Sequence, residues 1–275
     1  MQNSIKLTPQ YYNYGIDQLA YYDEGKGKQT LLLIHGFGED HGIWKNQIEF
    51  LSTNYRVIAP NLPGVHCKPL ALHHSHTPSI RMYVEVMHEL MHHLGIEQYY
   101  IVGHSMGGYI GLSYADYYVN HVQGLLLFHS TTYEDNEAKK TSRMKVAEFI
   151  QEWGVSKYLE TATPNLFGDA FKKSNPGAIQ NVIESGLGIS QEAMMQFVFA
   201  MRNRKAMTHL LQQSNLPVWI IAGDADLALP IQDSLEQIKL LPSSNSLVLE
   251  NVGHMGMLEA TDQVNRFIHQ CIQST

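Results

Sequence analysis

Short runs of consecutive apolar residues are the feature of this sequence that most limits its fold. Strands such as QTLLLIH and LPVWIIAG are apolar at successive positions, as burial on both faces of a sheet requires. Segments with helical periodicity lie between these runs, and a glycine or a cluster of turn residues follows each central run. This alternation predicts the α/β class, with a mostly parallel sheet covered by helices.

Six strands and one hairpin are predicted from this pattern. The hairpin is expected around Tyr11–Asp23, and the strands are Gln29–His35, Tyr55–Ala59, Tyr99–Val102, Gly124–Phe128, Val218–Ala222 and Ser246–Glu250. Ligands bind outside the carboxyl ends of the strands in open α/β sheets. We therefore expect the functional site at that edge.

The pattern changes between Phe128 and Leu216, where no strand is predicted. The stretch is too long for a simple crossover connection and consists of helical segments broken by TPNLFGD and NPGAI. We therefore predict a core domain formed by residues 1–130 and 213–275, with residues 131–212 as a helical insert over the sheet.

Composition limits the classes of partner. A formal net charge of -7 argues against nucleic acid, and no apolar run is long enough to predict a membrane span. The first residues lack the pattern of a signal peptide, so the cytoplasm is expected. Cys67 and Cys271 fit that compartment as free thiols, although a disulfide between them stays open. A small-molecule partner and a monomer or homodimer are expected.

The stretch YYIVGHSMGGYIGL, residues 99–112, places Ser105 between two glycines. Interior glycine in a strand or helix is unfavourable by roughly 0.5–1 kcal/mol, so we expect these glycines to serve geometry. A strand that ends near Gly103 and a helix that begins at Met106 leave Ser105 on a strained turn. The first N–H groups of the helix then point toward whatever the serine attacks.

This strand, turn and helix resemble the nucleophile elbow of the α/β-hydrolase superfamily, and the resemblance covers nearly the whole chain. It implies a mostly parallel sheet of about eight strands with helices on both faces. The insert looks like the helical cap that this family carries after strand six.

The resemblance also implies an acid and a base for Ser105. The family's base lies in the loop after the last strand, where NVGHMG contains His254. Its acid commonly takes the third position after the glycine of a turn such as AGDADLALP, which selects Asp226. Asp224 is the alternative in the same turn and is better suited to bonding the turn itself. The chain order of nucleophile, acid and base matches the family order.

Two backbone N–H groups are expected to form the oxyanion hole. One belongs to Met106, just after the nucleophile, and the other to Phe37, in the family's HG loop within LLLIHGFGED. His35 and Gly36 of this loop are candidate pocket residues, and His35 is better suited to holding the loop than to catalysis.

Candidate pocket residues in the insert lie in EAMMQFVFAMRNRKAM. Met194, Phe197 and Met201 share one helical face. Such spacing usually means packing within the insert. The alternative is that flexible methionines line an adaptable apolar pocket.

One segment departs from the family pattern. APNLPGVHCKP carries Asn61 where the family often has an acid and His66 near an expected glycine. The local turn is therefore not predicted by the resemblance.

Histidine clusters raise the question of a metal. His88, Glu89 and His92 have the HExxH spacing of zinc peptidases. However, the apolar stripe of the same helix places both histidines on its polar side, and no third ligand is evident. The HHSH cluster of His73, His74 and His76 is typical of a solvated loop, although it could hold a metal adventitiously. We expect no metal and no cofactor.

The resemblance implies acyl transfer, in which Ser105 attacks a carbonyl and His254 moves the protons. A small carboxylic ester is the leading substrate class. Lactones, thioesters and vinylogous C–C bonds stay open because the same triad serves them. A ligand-binding receptor on the same scaffold is the alternative of another class, since fold does not fix function.

Overall fold

The computed structural model describes residues 7–14, 17–72, 77–212 and 215–275. Its strands are β1 (Gln10–Tyr14), β2 (Asp17–Glu24), β3 (Thr30–Ile34), β4 (Arg56–Pro60), β5 (Tyr99–His104), β6 (Val122–Phe128), β7 (Val218–Gly223) and β8 (Ser246–Leu249). They form one eight-stranded sheet in the order β1-β2-β4-β3-β5-β6-β7-β8. β2 pairs antiparallel with β1 and with β4, and every other neighbouring pair is parallel.

The predicted hairpin and all six predicted strands are confirmed. Every residue of β3, β5 and β7 is buried, which accounts for their continuously apolar sequences. β5 runs past its predicted end to His104, because Gly103 still pairs with β3 and β6 before the chain turns.

The helices lie outside this sheet. In chain order they are α1 (Lys45–Leu51), α2 (Ile80–His93), α3 (Met106–Tyr117), α4 (Glu137–Ala162), α5 (Asp169–Ser174), α6 (Pro176–Gly186), α7 (Gln191–Arg202), α8 (His209–Gln212), α9 (Ile231–Ile238), α10 (Gly256–Glu259) and α11 (Thr261–Gln273). Among the described segments, no helix is both long enough and apolar enough to cross a membrane.

Helices fill the stretch between β6 and β7, as the sequence predicts. This stretch leaves the sheet at the carboxyl end of β6 and contains α4 to α8. Gly154 interrupts α4 with φ 82° and ψ 170°, so α4 is two helical segments joined at a kink. α7 has a buried face that packs on α4 of the insert and, through Phe197, on Tyr83 of the core.

Candidate active site

Ser105 lies on the turn between β5 and α3. Its φ of 50° and ψ of -112° place a non-glycine residue in a strained region of backbone conformation. Its N–H donates to the carbonyl of Phe128 at 2.9 Å, and its carbonyl accepts from the hydroxyl of Ser130 at 2.8 Å. These bonds hold the strained turn against the end of β6.

The two glycines around the serine allow close approach of backbone segments. A Cβ atom on Gly103 would lie 2.3 Å from the carbonyl oxygen of Gly107. A Cβ atom on Gly107 would lie 2.1 Å from the carbonyl oxygen of Ile34, at the end of β3. Glycine lowers the strand and helix propensity at these two positions, but it permits a tight turn that a larger side chain would block.

His254 and Asp226 meet at the same edge of the sheet, from the loops that follow β8 and β7. Nδ1 of His254 lies 2.6 Å from Oδ2 of Asp226. The other carboxylate oxygen accepts the N–H groups of Ala228 at 2.8 Å and Leu229 at 2.9 Å. Burial alone would raise the pKa of Asp226, but His254 and His129 hold that pKa far below its usual range. The anionic carboxylate therefore fixes the proton of His254 on Nδ1.

Asp224, the alternative acid, has a different partner. Its side chain is exposed and accepts the N–H of Asn251 at 2.6 Å. It therefore holds the turn after β8, and Asp226 is the aspartate that meets His254.

Ser105 and His254 face a common cavity of about 530 Å³. Ser105 is half-buried and His254 is buried, and Nε2 of His254 bonds to no other residue in the described part of the chain. That nitrogen is therefore available to the serine hydroxyl or to a substrate. Leu166 and Met201 of the insert form part of the same cavity wall.

The role of Phe37 and Met106 as oxyanion donors stays a prediction. Phe37 lines the cavity, and Met106 begins α3 directly after Ser105. Within the described ranges, no loop or side-chain acceptor takes the N–H of either residue. The N–H of a residue at the start of a helix has no partner within that helix, and the helix dipole adds to its pull on an anion.

A buried pair that the sequence does not reveal, Glu39 and His104, lies beneath these loops. Oε1 of Glu39 lies 3.0 Å from Nδ1 of His104, and Nε2 of His104 lies 2.9 Å from the carbonyl oxygen of His254. Both ring nitrogens face acceptors, so the imidazole carries two protons and a positive charge. Burial would lower the pKa of His104, but the Glu39 carboxylate raises it above its ordinary value.

This ion pair joins three parts of the site. Glu39 also accepts the N–H of Gly36 at 2.8 Å, in the loop that presents Phe37. His104 directly precedes Ser105, and its second bond reaches the backbone of His254. The loop of Phe37, the turn at Ser105 and the loop that carries His254 are thus all bonded to one charged pair.

His129 is the other residue that the sequence analysis missed. It directly follows β6, and its Nδ1 lies 3.1 Å from Oδ2 of Asp226. With fifteen histidines in the chain, presence alone carried no information. The usable signal was position, because His129 ends a parallel strand at the edge where ligands bind.

Most of the candidate pocket residues do not line the cavity. Met201 does, whereas Met194 and Phe197 are fully buried, and Phe197 packs edge-on against Phe37 at 6.4 Å between ring centroids. The face of α7 is therefore mainly a packing surface, and spacing alone could not show which neighbour it meets.

His35 and Gly36 are likewise absent from the cavity wall. Nδ1 of His35 donates to the carbonyl of Gly36 at 2.8 Å, and its Nε2 accepts the N–H of Leu62 at 3.0 Å. Burial lowers the pKa of His35, so the ring is neutral, and its two hydrogen bonds hold the loop that carries Phe37.

The HExxH residues form no metal site. Nδ1 of His88 bonds to the hydroxyl of Tyr114 at 2.8 Å, and its ring stacks on Tyr118 at 3.8 Å. Glu89 and His92 are exposed. His73, His74 and His76 lie outside the described residues.

In the part of the chain that the structure describes, one group has donor atoms close enough for a metal: His129, Asp226 and His254. Hydrogen bonds from the two histidines to the carboxylate account for this grouping.

Asn61 and His66 shape the turn where the sequence departs from the family pattern. The side-chain oxygen of Asn61 accepts the N–H of His41 at 2.8 Å, a bond that an ionised acid would also make. His66 has φ 54°, the left-handed conformation in which a glycine is more usual.

Comparisons with known proteins bear on this site. The model of the alpha/beta hydrolase fold family matches residues 29–175. The chain is 26% identical over 252 residues to the dihydrolipoyllysine-residue acetyltransferase component of the acetoin cleaving system of Pseudomonas putida, covering 88% of this chain and 63% of that relative. It is 24% identical over 262 residues to (E)-2-((N-methylformamido)methylene)succinate hydrolase of Acinetobacter baylyi, covering 93% and 94%.

A solved structure extends the similarity to the whole fold. A thermophilic esterase from Thermogutta terrifontis, with malate bound, is similar at a TM-score of 0.86 over 98% of this chain and 99% of that one, with 25% identity. Together with a family match over more than half of the chain, this similarity shows that the protein belongs to the alpha/beta hydrolase fold family, and the names of its relatives support an enzyme of the hydrolase class.

Proposed function

We propose that the protein is a serine hydrolase that cleaves a small carboxylic ester through an acyl-enzyme intermediate. The observation that carries the proposal is the 2.6 Å bond between His254 and Asp226, at a cavity that His254 shares with Ser105. A carboxylate that holds the imidazole in one tautomer leaves Nε2 free to take the proton of a serine hydroxyl.

In the first half of the reaction, Oγ of Ser105 attacks the carbonyl carbon and its proton passes to Nε2 of His254. The oxygen that becomes negative is stabilised by the N–H groups of Phe37 and Met106. Collapse of this intermediate breaks the ester bond, and the leaving alcohol takes the proton from His254. A water molecule then repeats the sequence and releases the acid.

Residues 131–212 act as the cap in this proposal. Tyr158, Leu159 and Leu166 of the insert form cavity wall, so the insert excludes water and limits the acyl group. A cavity of about 530 Å³ fits a small ester rather than a polymer.

The test is turnover of p-nitrophenyl esters of increasing acyl length. We expect hydrolysis of the short esters, a loss of roughly 10⁴-fold or more in kcat for Ser105→Ala, and labelling of wild-type Ser105 by a fluorophosphonate. Labelling without turnover would favour another acyl substrate, and binding of ligands without labelling would favour a receptor.

The cationic side chain of Lys139 favours a second candidate, a substrate that carries a carboxylate. Lys139 and Arg143 lie one turn apart on α4 and both line the cavity, but the guanidinium of Arg143 is already paired with the buried carboxylate of Asp135 at 3.1 Å. The ammonium of Lys139 donates to the carbonyl of Ala228 at 3.0 Å and has no acidic partner among the described residues. The A. baylyi relative is named for a succinate derivative, and the T. terrifontis structure holds malate. Lactones and C–C bonds of such acids belong to this candidate.

Mono-p-nitrophenyl succinate compared with p-nitrophenyl butyrate separates the two candidates. A higher kcat/KM for the succinate, lost in Lys139→Gln while the butyrate rate is kept, would select the carboxylate-bearing substrate. Equal kcat/KM values for the two compounds would favour a simple ester as the substrate.

The compartment and the assembly stay predictions. Cys67 and Cys271 are both free, as expected of a cytoplasmic protein. A monomer or homodimer acting on a small molecule, with no nucleic acid, remains our expectation.

A further inference from the structure

The aspartate of the site holds two histidines. Oδ2 of Asp226 lies 2.6 Å from Nδ1 of His254 and 3.1 Å from Nδ1 of His129. An ionised carboxylate only accepts, so both Nδ1 atoms carry protons and share one oxygen. The proposed reaction involves the imidazole of His254 only, so it does not explain why His129 also bonds to Asp226.

His129 is fitted closely into this position. Its side chain is buried, and a Cβ atom on Gly223 or Gly256 would lie 2.9 Å or 2.6 Å from its ring. Its backbone has φ 46°, and its N–H donates to the carbonyl of Ile221 at 2.8 Å. Strained backbone at a buried polar residue persists only where the surrounding structure imposes it. The sheet edge thus aims this ring at Asp226.

The bond to Asp226 is the hydrogen bond that holds the ring of His129, because the other ring nitrogen makes none among the described residues. Nε2 of His129 is buried and has no hydrogen-bond partner within the described ranges. Burial lowers the pKa of His129 to about 4, so the ring is neutral at ordinary pH. It therefore donates one hydrogen bond to the carboxylate and adds no charge.

We propose that His129 is a positioning residue of the triad, which shares Oδ2 of Asp226 with His254 and so limits how strongly the carboxylate stabilises the protonated form of the catalytic imidazole. This inference rests on the proposed function. The hydrogen bond from His129 already stabilises the negative charge of the carboxylate, so the shared oxygen attracts the N–H of His254 less strongly. Without His129, His254 would have that oxygen to itself.

Other titratable groups surround the pair. The rings of His104 and His254 lie 6.1 Å and 5.6 Å from the ring of His129, and Glu259 of α10 interacts with Asp226. The charge of His104 is matched by Glu39. A substitution of the neutral His129 leaves these charges in place.

Two variants separate the hydrogen bond from the bulk of the ring. In His129→Asn, the amide nitrogen takes the place of Nδ1 and keeps the donor, and asparagine tolerates a positive φ. In His129→Leu, the donor is lost. His41→Leu is the matched control, because His41 is also buried but its ring packs on Tyr22 rather than on the triad.

The readout is the rate of fluorophosphonate labelling of Ser105 against pH, with folding checked by thermal unfolding. In His129→Leu we expect the acidic limb of the labelling rate to shift to higher pH by about half a unit, because Asp226 then stabilises the protonated imidazole of His254 more strongly. His129→Asn and His41→Leu should keep the wild-type limb. A folded His129→Leu protein with the wild-type limb would overturn the proposal.

A second measurement needs neither a variant nor activity. Long-range ¹H–¹⁵N spectra of the wild-type protein distinguish the two neutral tautomers of histidine. We expect His129 to be neutral with its proton on Nδ1 at pH 7. A proton on Nε2 would overturn the proposal even if His129→Leu failed to fold. If Ser105 were not labelled at all, the proposed function would fail while this spectrum still tested the bond to Asp226.

Discussion

At the scale of single residues, two neighbouring aspartates provide a matched test of the acid. Asp226→Asn removes the charge that fixes the tautomer of His254, so we expect kcat to fall by roughly 10³-fold or more with the fold intact. Asp224→Asn leaves an oxygen to accept the N–H of Asn251 and should change kcat little. Steady-state kinetics on one ester decide between them, and equal losses would contradict the assignment.

The residues that the sequence predicted differ in kind from those it missed. Ser105, Asp226 and His254 each follow a strand at one edge of the sheet, so strand prediction together with the family resemblance was enough to select them. Glu39 and His104 are 65 residues apart, and each lies at a position for which its own motif, LLLIHGFGED or YYIVGHSMGGYIGL, predicts no particular residue type. Their pairing depends on how two loops pack, which periodicity does not encode.

At the scale of secondary structure, the elbow is sensitive to a single methyl group. Gly107 and Gly177 are each the second residue of a helix. Gly107→Ala would place a Cβ atom 2.1 Å from a backbone oxygen, whereas the same atom on Gly177 meets nothing within 4 Å. We expect loss of activity and a lower Tm in the first variant.

The second variant should be active and more stable by about 0.5–1 kcal/mol, because alanine favours the helix. Thermal unfolding and ester hydrolysis measured on both proteins provide the check. A fully active Gly107→Ala protein would show that the turn can open without cost.

The buried ion pair of Glu39 and His104 makes the stability of the protein depend on pH. The pKa of His104 is raised, so its contribution to stability is complete below about pH 6.5 and is lost as pH rises through the folded value. The pKa of Glu39 is lowered by His104 against the opposing effect of burial, so its contribution is complete above about pH 4.3 and is lost as pH falls through the folded value. Both contributions are complete between these limits.

Glu39→Gln removes the charge and keeps most of the shape. We expect a loss of about 2 kcal/mol in the free energy of unfolding between about pH 4.3 and 6.5, and a smaller loss at alkaline pH. Thermal unfolding of wild type and variant across this range measures the difference. A difference that stayed constant into alkaline pH would mean that His104 is not charged.

At the scale of the whole molecule, the sequence predicted the sheet and the helical insert but not how they share the site. Apolar periodicity gave the buried faces of α2 and α7, because burial of one face imposes it. It could not tell which neighbour each face meets, which is why Met194 and Phe197 belong to packing rather than to the cavity. Such contacts are set by the tertiary fold.

The insert contacts His254 directly through the backbone. The N–H of His254 donates to the carbonyl of Leu166 at 2.6 Å. Glu259 accepts the N–H of Gly168, in the insert, at 2.8 Å and those of Gly253 and Met255, on either side of His254, at 3.1 and 3.2 Å. The loop of the base is thus held between core and insert.

Glu259→Gln tests whether the three hydrogen bonds that Glu259 accepts matter for catalysis. The amide offers one accepting oxygen where the carboxylate offers two, so one of the three N–H groups would face an NH₂ group. We expect kcat for a short ester to fall about tenfold with KM little changed, because a misplaced base affects the transition state more than binding. Glu250→Gln, an exposed change in the turn after β8, is the control. Identical kinetics for the two variants would mean that the insert covers the cavity without positioning His254.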